Sequence, residues 1–286
     1  MGEDRGEMQG NGTAQLEAGF LDVENGRLYF EVSGSGTPLV LVHAGVANLR
    51  MWDDDVPALA KRHRVVRYDT RGFGQTTTEE ATFSNRDDLR DLLDHLNIER
   101  TAVLGISRGG SIALDFTLEF PERVSSLIIV ASGLGGFETE NPTMDDLWQD
   151  MEQLWEAKSW ERLTDMEVAL WVDGPGQPPD RVPAAIRDRV RDMILTTYQT
   201  HEVEGQPRPL HPPAVGRLGE IAVPTLVIVG DLDEPGVLAA SDAIASRVSA
   251  ARKVVLPRVA HMVNLERPAE FQRLVLDFLA TTNPHG

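Results

Sequence analysis

Cysteine is absent from the 286 residues. That removes disulfides, a thiolate nucleophile and Cys-ligated zinc or iron–sulfur centres in one step, and it fits a reducing, cytoplasmic setting. Basic residues are scarce beside acidic ones. Against 45 Asp and Glu there are 27 Lys and Arg, a formal charge of −18. No basic patch can dominate such a field, which argues against a nucleic-acid partner and against binding to anionic membranes. Long apolar runs are missing too. The longest, such as 127–131, hold about five residues, where a membrane helix needs roughly 18. Residues 1–19 are acidic, Gly-rich and nearly free of large apolar groups. They lack the basic start and apolar stretch of a secretory signal and are expected to form a disordered tail.

What is present is a core. Hydrophobic residues make up 41% of the chain, close to the globular norm of about 45–50% that counts Gly as well. Short runs rich in Val, Ile and Leu recur at 38–42, 65–68, 102–104, 127–131, 225–229 and 253–256. Without alternation, runs of this length fit strands buried on both faces. Helical stretches lie between most of them. Leu89, Leu92, Leu93 and Leu96 fall on one stripe of 85–96, and 111–120 and 268–280 read similarly. Strands alternating with helices imply crossover units and a mainly parallel sheet covered on both faces. The opening differs. Apolar segments 20–23 and 27–32 flank Asn25-Gly26, a hairpin signal, so an antiparallel pair is expected first.

From Gly133 to Gly219 no buried-strand run occurs. Leu147, Trp148, Met151, Leu154 and Trp155 stand at helical spacing, followed by helical stretches at 160–172 and 183–198 with a Gly/Pro-rich loop between them. A helical insertion, 133–219, is therefore expected to divide a core made of 20–132 and 220–286. Four of the five Trp lie in it, and their stripe reads first as packing.

The most informative segment is Gly105-Ile106-Ser107-Arg108-Gly109. A buried strand precedes this Gly-x-Ser-x-Gly and a helix follows at once. On such a turn a Ser is pushed out above the sheet edge, flanking glycines avoid collisions with neighbouring backbone, and the helix amino end favours developing negative charge. The bland alternative is a helix-capping Ser with incidental glycines. A hydroxyl nucleophile needs a base, and the base an orienting acid. His261 follows the last strand run, and Asp233 follows the one before. Both lie at strand carboxyl ends, where open α/β sheets place their ligands. Asp231 and Glu234 are rivals for the acid, with Asp231 better placed to brace the turn. His63, His95, His201, His211 and His285 lie away from strand ends.

Together these features resemble the α/β-hydrolase superfamily over about 20–280. Five segments carry the resemblance: His43-Ala44-Gly45, Asp69-Thr70-Arg71-Gly72-Phe73-Gly74, the Ser107 turn, Gly230-Asp231-Leu232-Asp233, and His261 with Glu266-Arg267-Pro268 following. The order Ser107, Asp233, His261 is that of the superfamily. Tyr68-Asp69-Thr70-Arg71-Gly72 is similar to 3-oxoadipate enol-lactonases. The insertion is similar to the cap of those lactonases, of meta-cleavage C–C hydrolases and of small carboxylesterases. Ala44 in place of Gly, Arg108 in place of the more usual Met or Gln, and Ala260 in place of Gly depart from the pattern.

The resemblance implies an α/β fold with a mostly parallel eight-stranded sheet, helices on both faces and an inserted helical cap. It implies a Ser107–His261–Asp233 triad, an oxyanion hole from the backbone N–H groups of Gly45 and Arg108, and pocket residues Val46, Trp148 and Met262. His43 and Arg71 are expected to be structural. The Arg108 side chain is expected to pair with Asp231 or Glu234, the alternative being a substrate carboxylate. The expected activity is hydrolysis of a small-molecule carboxylic ester or lactone through an acyl-enzyme, with no cofactor and no metal. No Walker A, Gly-x-Gly-x-x-Gly or His-Glu-x-x-His pattern occurs. Alternatives on the same triad are C–C bond hydrolysis and cofactor-free perhydrolysis. A ligand receptor built on the fold is a further one. Epoxide hydrolases and haloalkane dehalogenases are disfavoured, because those fold relatives carry Asp where this chain has Ser107.

Overall fold

A computed structural model of the chain describes residues 16–139, 142–201 and 205–282. Its main sheet is built from β1 (Glu17–Val23), β2 (Gly26–Ser33), β3 (Thr37–Val42), β4 (His63–Tyr68), β5 (Thr101–Ile106), β6 (Val124–Val130), β7 (Thr225–Gly230) and β8 (Ala251–Leu256). They lie in the order β1-β2-β4-β3-β5-β6-β7-β8, and the two-residue strand Thr77–Thr78 adds to the edge of β2 as a ninth member. β2 runs antiparallel to β1 and β4, and every pairing from β4 to β8 is parallel. The opening hairpin turns at Asn25, whose φ of 58° suits the Asn-Gly pair. β1 begins at Glu17, so the tail expected to reach Gly19 is too long by three residues, which pair with Phe30, Glu31 and Val32. Residues 1–15 of that tail lie outside the described residues. His63, expected away from strands, opens β4 at the end remote from the strand carboxyl termini.

Alternation along the strands divides the core between the two faces. Leu39 and Leu41 of β3, Leu104 of β5 and Ile228 of β7 pack with Phe271, Val275 and Phe278 of the closing helix α7 (Pro268–Thr282). Val40, Val42, Val103 and Val227 pack on the other face. There they meet α1 (Asn85–His95), α2 (Arg108–Glu119) and α6 (Pro235–Arg247) through Leu89, Phe116 and Ile244. Each such side chain contributes about 1.5–3 kcal/mol by leaving water. Burial on both faces is why β5 and β7 read as unbroken apolar runs.

Between β6 and β7 the chain forms α3 (Pro142–Glu156), α4 (Trp160–Glu167) and α5 (Ala184–Thr200). α4 runs directly into a π-helical turn, Val168–Asp173, closed by Gly174 at φ 96°. Met144, Met151, Leu163 and Leu170 make a small separate core, with Trp160 and Trp171 packed against it. The Trp stripe is thus only half core. Trp148 and Trp155 remain 40% and 39% exposed, although they share a stripe of α3 with the buried Met144 and Met151. The short strand Gln206–Pro207 pairs with Thr82–Phe83 and ties this part of the chain to the segment before α1. Among the described residues no helix is long and apolar enough to cross a membrane.

Candidate active site

Ser107 follows the last residue of β5 and immediately precedes α2, in a backbone conformation of φ 56° and ψ −122°. This region is costly for a residue with a Cβ and persists only where the surroundings impose it. The surroundings are glycine contacts. A Cβ on Gly105 would stand 2.1 Å from the Gly109 carbonyl oxygen, and one on Gly109 would stand 2.2 Å from that of Val42. Strand and helix can approach this closely only with glycine at both places. The Ser107 amide donates to the Val130 carbonyl at 2.9 Å, and the Ser107 carbonyl accepts from Gly110 and Ser111. These bonds hold the residue at the mouth of the helix, where the dipole favours an anion.

Two more loops leave the same sheet at strand carboxyl ends. Asp233 stands just beyond β7 and His261 beyond β8, and both are almost fully buried. His261 Nδ1 lies 2.9 and 3.1 Å from the two Asp233 carboxylate oxygens. With the Nδ1 proton donated to that carboxylate, Nε2 is left as an acceptor. Nε2 is buried and has no hydrogen-bond partner among the described residues. The loop carrying His261 folds back across the sheet. Before His261, the Val259 carbonyl lies where a Gly230 Cβ would be, 2.1 Å away, and it accepts from Leu232 N at 2.9 Å. After His261, Asn264 donates to the Met51 carbonyl at 3.2 Å and to Asp55 at 2.9 Å. The loop therefore spans from the end of β7 to the segment after β3.

Residues 37–170 match the family described as alpha/beta hydrolase fold. A 2-hydroxymuconate semialdehyde hydrolase of Pseudomonas sp. (strain CF600) is 31% identical over 266 residues, which cover 87% of this chain and 88% of that protein. The chain belongs to the α/β-hydrolase family. A 2-hydroxy-6-oxononadienedioate/2-hydroxy-6-oxononatrienedioate hydrolase of Cupriavidus pinatubonensis is 28% identical, covering 95% of this chain and 99% of that one. The solved enol-lactonase of Burkholderia xenovorans LB400 has the same fold, with a TM-score of 0.74 at 23% identity over 91% of this chain and 99% of that one.

In this hydrolase the loop after β3 is pinned by His43. Its Nε2 accepts from the Thr70 amide at 3.0 Å and its Nδ1 donates to the Ala44 carbonyl at 2.8 Å. Burial pushes the ring down to about 3, with the Arg108 charge adding to it, so it stays a neutral brace. Arg71 is structural as well, bidentate on Asp88 and bonded to the carbonyls of Glu24 and Asn25. Asp231 accepts from the Arg258 amide at 2.6 Å, and Glu234 caps α6 at Val237 N. The expected pairing of Arg108 with one of these two acids is not what the structure shows. The side chain leaves α2 on the opposite side, donates to Thr70 Oγ1 at 2.6 Å and lies over the Phe73 ring. Asp231 and Glu234 belong to the β7 side of the site, whereas Thr70 and Phe73 follow β4.

Gly45 and Arg108 line one cavity of about 270 Å³, together with Phe73, Phe83, Trp155 and Tyr198. Ser107 and His261 are not among its lining residues. Val46 and Met262, expected at the pocket, are buried in the core on the α7 face. Trp148 lines a different cavity of about 220 Å³, beside Met144 and Glu234. Among the described residues no group of three or more His, Cys, Asp or Glu could hold a metal ion. The sequence reading missed Trp171, whose ring lies 4.4 Å from that of His261, centre to centre. It also missed the contact of Arg181 with Glu266, which joins the two segments that carry them. No local pattern marks such a long-range contact.

Proposed function

We propose that the protein is a serine hydrolase that cleaves a small carboxylic ester or lactone through an acyl-enzyme. The observation that carries this reading is His261. Its Nδ1 is held by the buried Asp233, its Nε2 is a buried acceptor with no partner among the described residues, and its loop reaches from the end of β7 to the segment after β3, the strand beside β5. In the resting structure Ser107 Oγ is not hydrogen-bonded to that Nε2 among the described residues; such bonds often tighten only with substrate bound. Nε2 takes the Ser107 proton as Oγ attacks the carbonyl carbon. The oxyanion is held by the amides of Gly45 and Arg108, each donor worth about 2.7–4 kcal/mol in the transition state. The imidazolium then returns its proton to the leaving alkoxide, and the neutral ring activates water to release the acid. Asp233 stays ionised and stabilises the imidazolium. The helices between β6 and β7 serve as the cap, and the cavity beside Gly45 receives the substrate.

C–C bond hydrolysis is the second reading. Two relatives spanning most of the chain are named as a hydrolase of 2-hydroxy-6-oxononadienedioate and 2-hydroxy-6-oxononatrienedioate and a hydrolase of 2-hydroxymuconate semialdehyde. One panel separates the two: a p-nitrophenyl ester, a lactone and a vinylogous 1,5-diketone acid, each with wild type and Ser107→Ala. The ester or lactone should turn over faster than the diketone, and Ser107→Ala should fold and lose about 10⁶ in kcat. Wild-type rates in that variant would remove Ser107 from the mechanism. Faster diketone cleavage would replace the ester reading with the C–C one.

A further inference from the structure

Arg181 lies in the loop between the π-helical turn and α5 and uses all five of its N–H groups. Nε donates to the Asp173 carbonyl at 2.6 Å, and Nη2 donates to the Val172 carbonyl at 2.7 Å. These are the last two residues of the turn that carries Trp171. Nη1 and Nη2 grip the Glu266 carboxylate at 2.5 and 3.1 Å, and Nη1 also reaches the Arg258 carbonyl at 3.3 Å. Glu266 in turn accepts the Ala260 amide at 2.9 Å, the residue immediately before His261. One guanidinium therefore ties the Trp171 turn to both sides of the His261 loop.

Two further contacts follow the same line. The Trp171 ring lies against the His261 ring at 4.4 Å and 42°. Gly174, at φ 96°, comes so close that a Cβ there would stand 2.9 Å from the Leu232 carbonyl and 3.1 Å from Ala260 Cβ. Asp233 fixes only one nitrogen of the imidazole; rotation about that bond is limited by what packs on the ring face and by the backbone that carries it. Both of those restraints run through Arg181. Glu266 is nearly buried, and Arg181 little less so, so the pair is screened less than a surface ion pair.

We propose that Arg181, resting on the triad reading above, is a positioning residue: it locks the Trp171 turn onto the His261 loop and so holds the imidazole in register with Ser107. The planar fork matters. Lysine offers three donors from one point and cannot span two carbonyls and a carboxylate at once.

The test compares Arg181→Gln, Arg181→Lys and Ser107→Ala with wild type on p-nitrophenyl acetate. In Arg181→Gln, kcat should fall about 10–100-fold, the scale of an ångström-size misplacement, with KM changed less than about threefold. Arg181→Lys should fall in between. The far-downfield proton resonance of His261 Nδ1–H, identified by its loss in Asp233→Asn, should shift or broaden in both Arg181 variants. A folded Arg181→Gln with wild-type kcat and an unmoved resonance would overturn the proposal. If Arg181→Gln does not fold, Arg181→Lys decides in the same way, and wild-type kcat with an unmoved resonance in it is the overturning result. Wild-type activity in Ser107→Ala would overturn the triad reading and this proposal with it. An inactive Ser107→Ala beside a wild-type-like Arg181 variant overturns this proposal alone.

Discussion

Asp231 and Asp233 stand two positions apart and face different partners. Asp231 accepts from a backbone amide at 2.6 Å, while Asp233 meets the His261 ring at 2.9 Å. Asp233→Asn should therefore keep the fold but deprive the imidazole of its orienting anion, at a cost of about 10⁴ in kcat. Asp231→Asn still presents a carbonyl oxygen to the Arg258 amide and should cost little. Reversed ranks in that pair would move the acid to Asp231. Glu167, at the end of α4, accepts from the Tyr198 hydroxyl at 2.7 Å, and burial pushes its carboxyl up to about 7 despite that bond. Its folded value lies above its unfolded one near 4.5. The folded chain thus holds the proton more tightly, and the associated stability is complete below about pH 4.5 and lost as pH rises through 7. Glu167→Gln removes that loss while keeping an acceptor for Tyr198. The melting temperature of the variant minus that of wild type should climb between pH 5 and pH 8. A difference that stays flat would show that Glu167 titrates normally.

At the level of elements, the sheet was legible because its strands are buried on both faces. Each of the six apolar runs matches one strand from β3 to β8, with ends off by no more than three residues; only 127–131 runs past its strand, by Ala131. The hairpin was written in Asn25-Gly26, and the Ser107 turn in its two glycines, where no other residue fits. What stayed hidden depends on elements far apart in sequence. Residues 160–172 read as one helix, yet from Val168 it widens into a π turn and delivers Trp171 to His261. Arg181 sits in a Pro-rich loop and finds Glu266 85 positions later. How far the core covers the α3 stripe was hidden as well, since helical spacing alone does not say where along a stripe burial ends. That stripe sends Trp155 into the cavity shared with Gly45 and Arg108, where it packs edge-on to Tyr198 at 5.4 Å. If this cavity takes the acyl chain, Trp155→Ala should enlarge it. The ratio of kcat/KM for p-nitrophenyl octanoate over acetate should then rise severalfold. An unchanged ratio would place the acyl chain elsewhere.

Across the whole molecule, the path of the chain keeps the three groups of the proposed triad far apart in sequence while setting each of them after a strand of one sheet. β5 presents Ser107 early, whereas β7 and β8 bring Asp233 and His261 only after the entire helical insertion has been made. The insertion also owns Trp171 and Arg181, so each half of the sheet waits on the other for a complete site. This sets a schedule during synthesis. At roughly 5–20 residues per second, the about 150 positions from Ser107 to His261 take on the order of 10–30 s to appear. Throughout that interval the nascent chain exposes a serine with no base to activate it. On the proposed mechanism, hydrolytic competence therefore arrives only once β8 and the loop after it have been made, and a message cut short before β8 yields an inert protein.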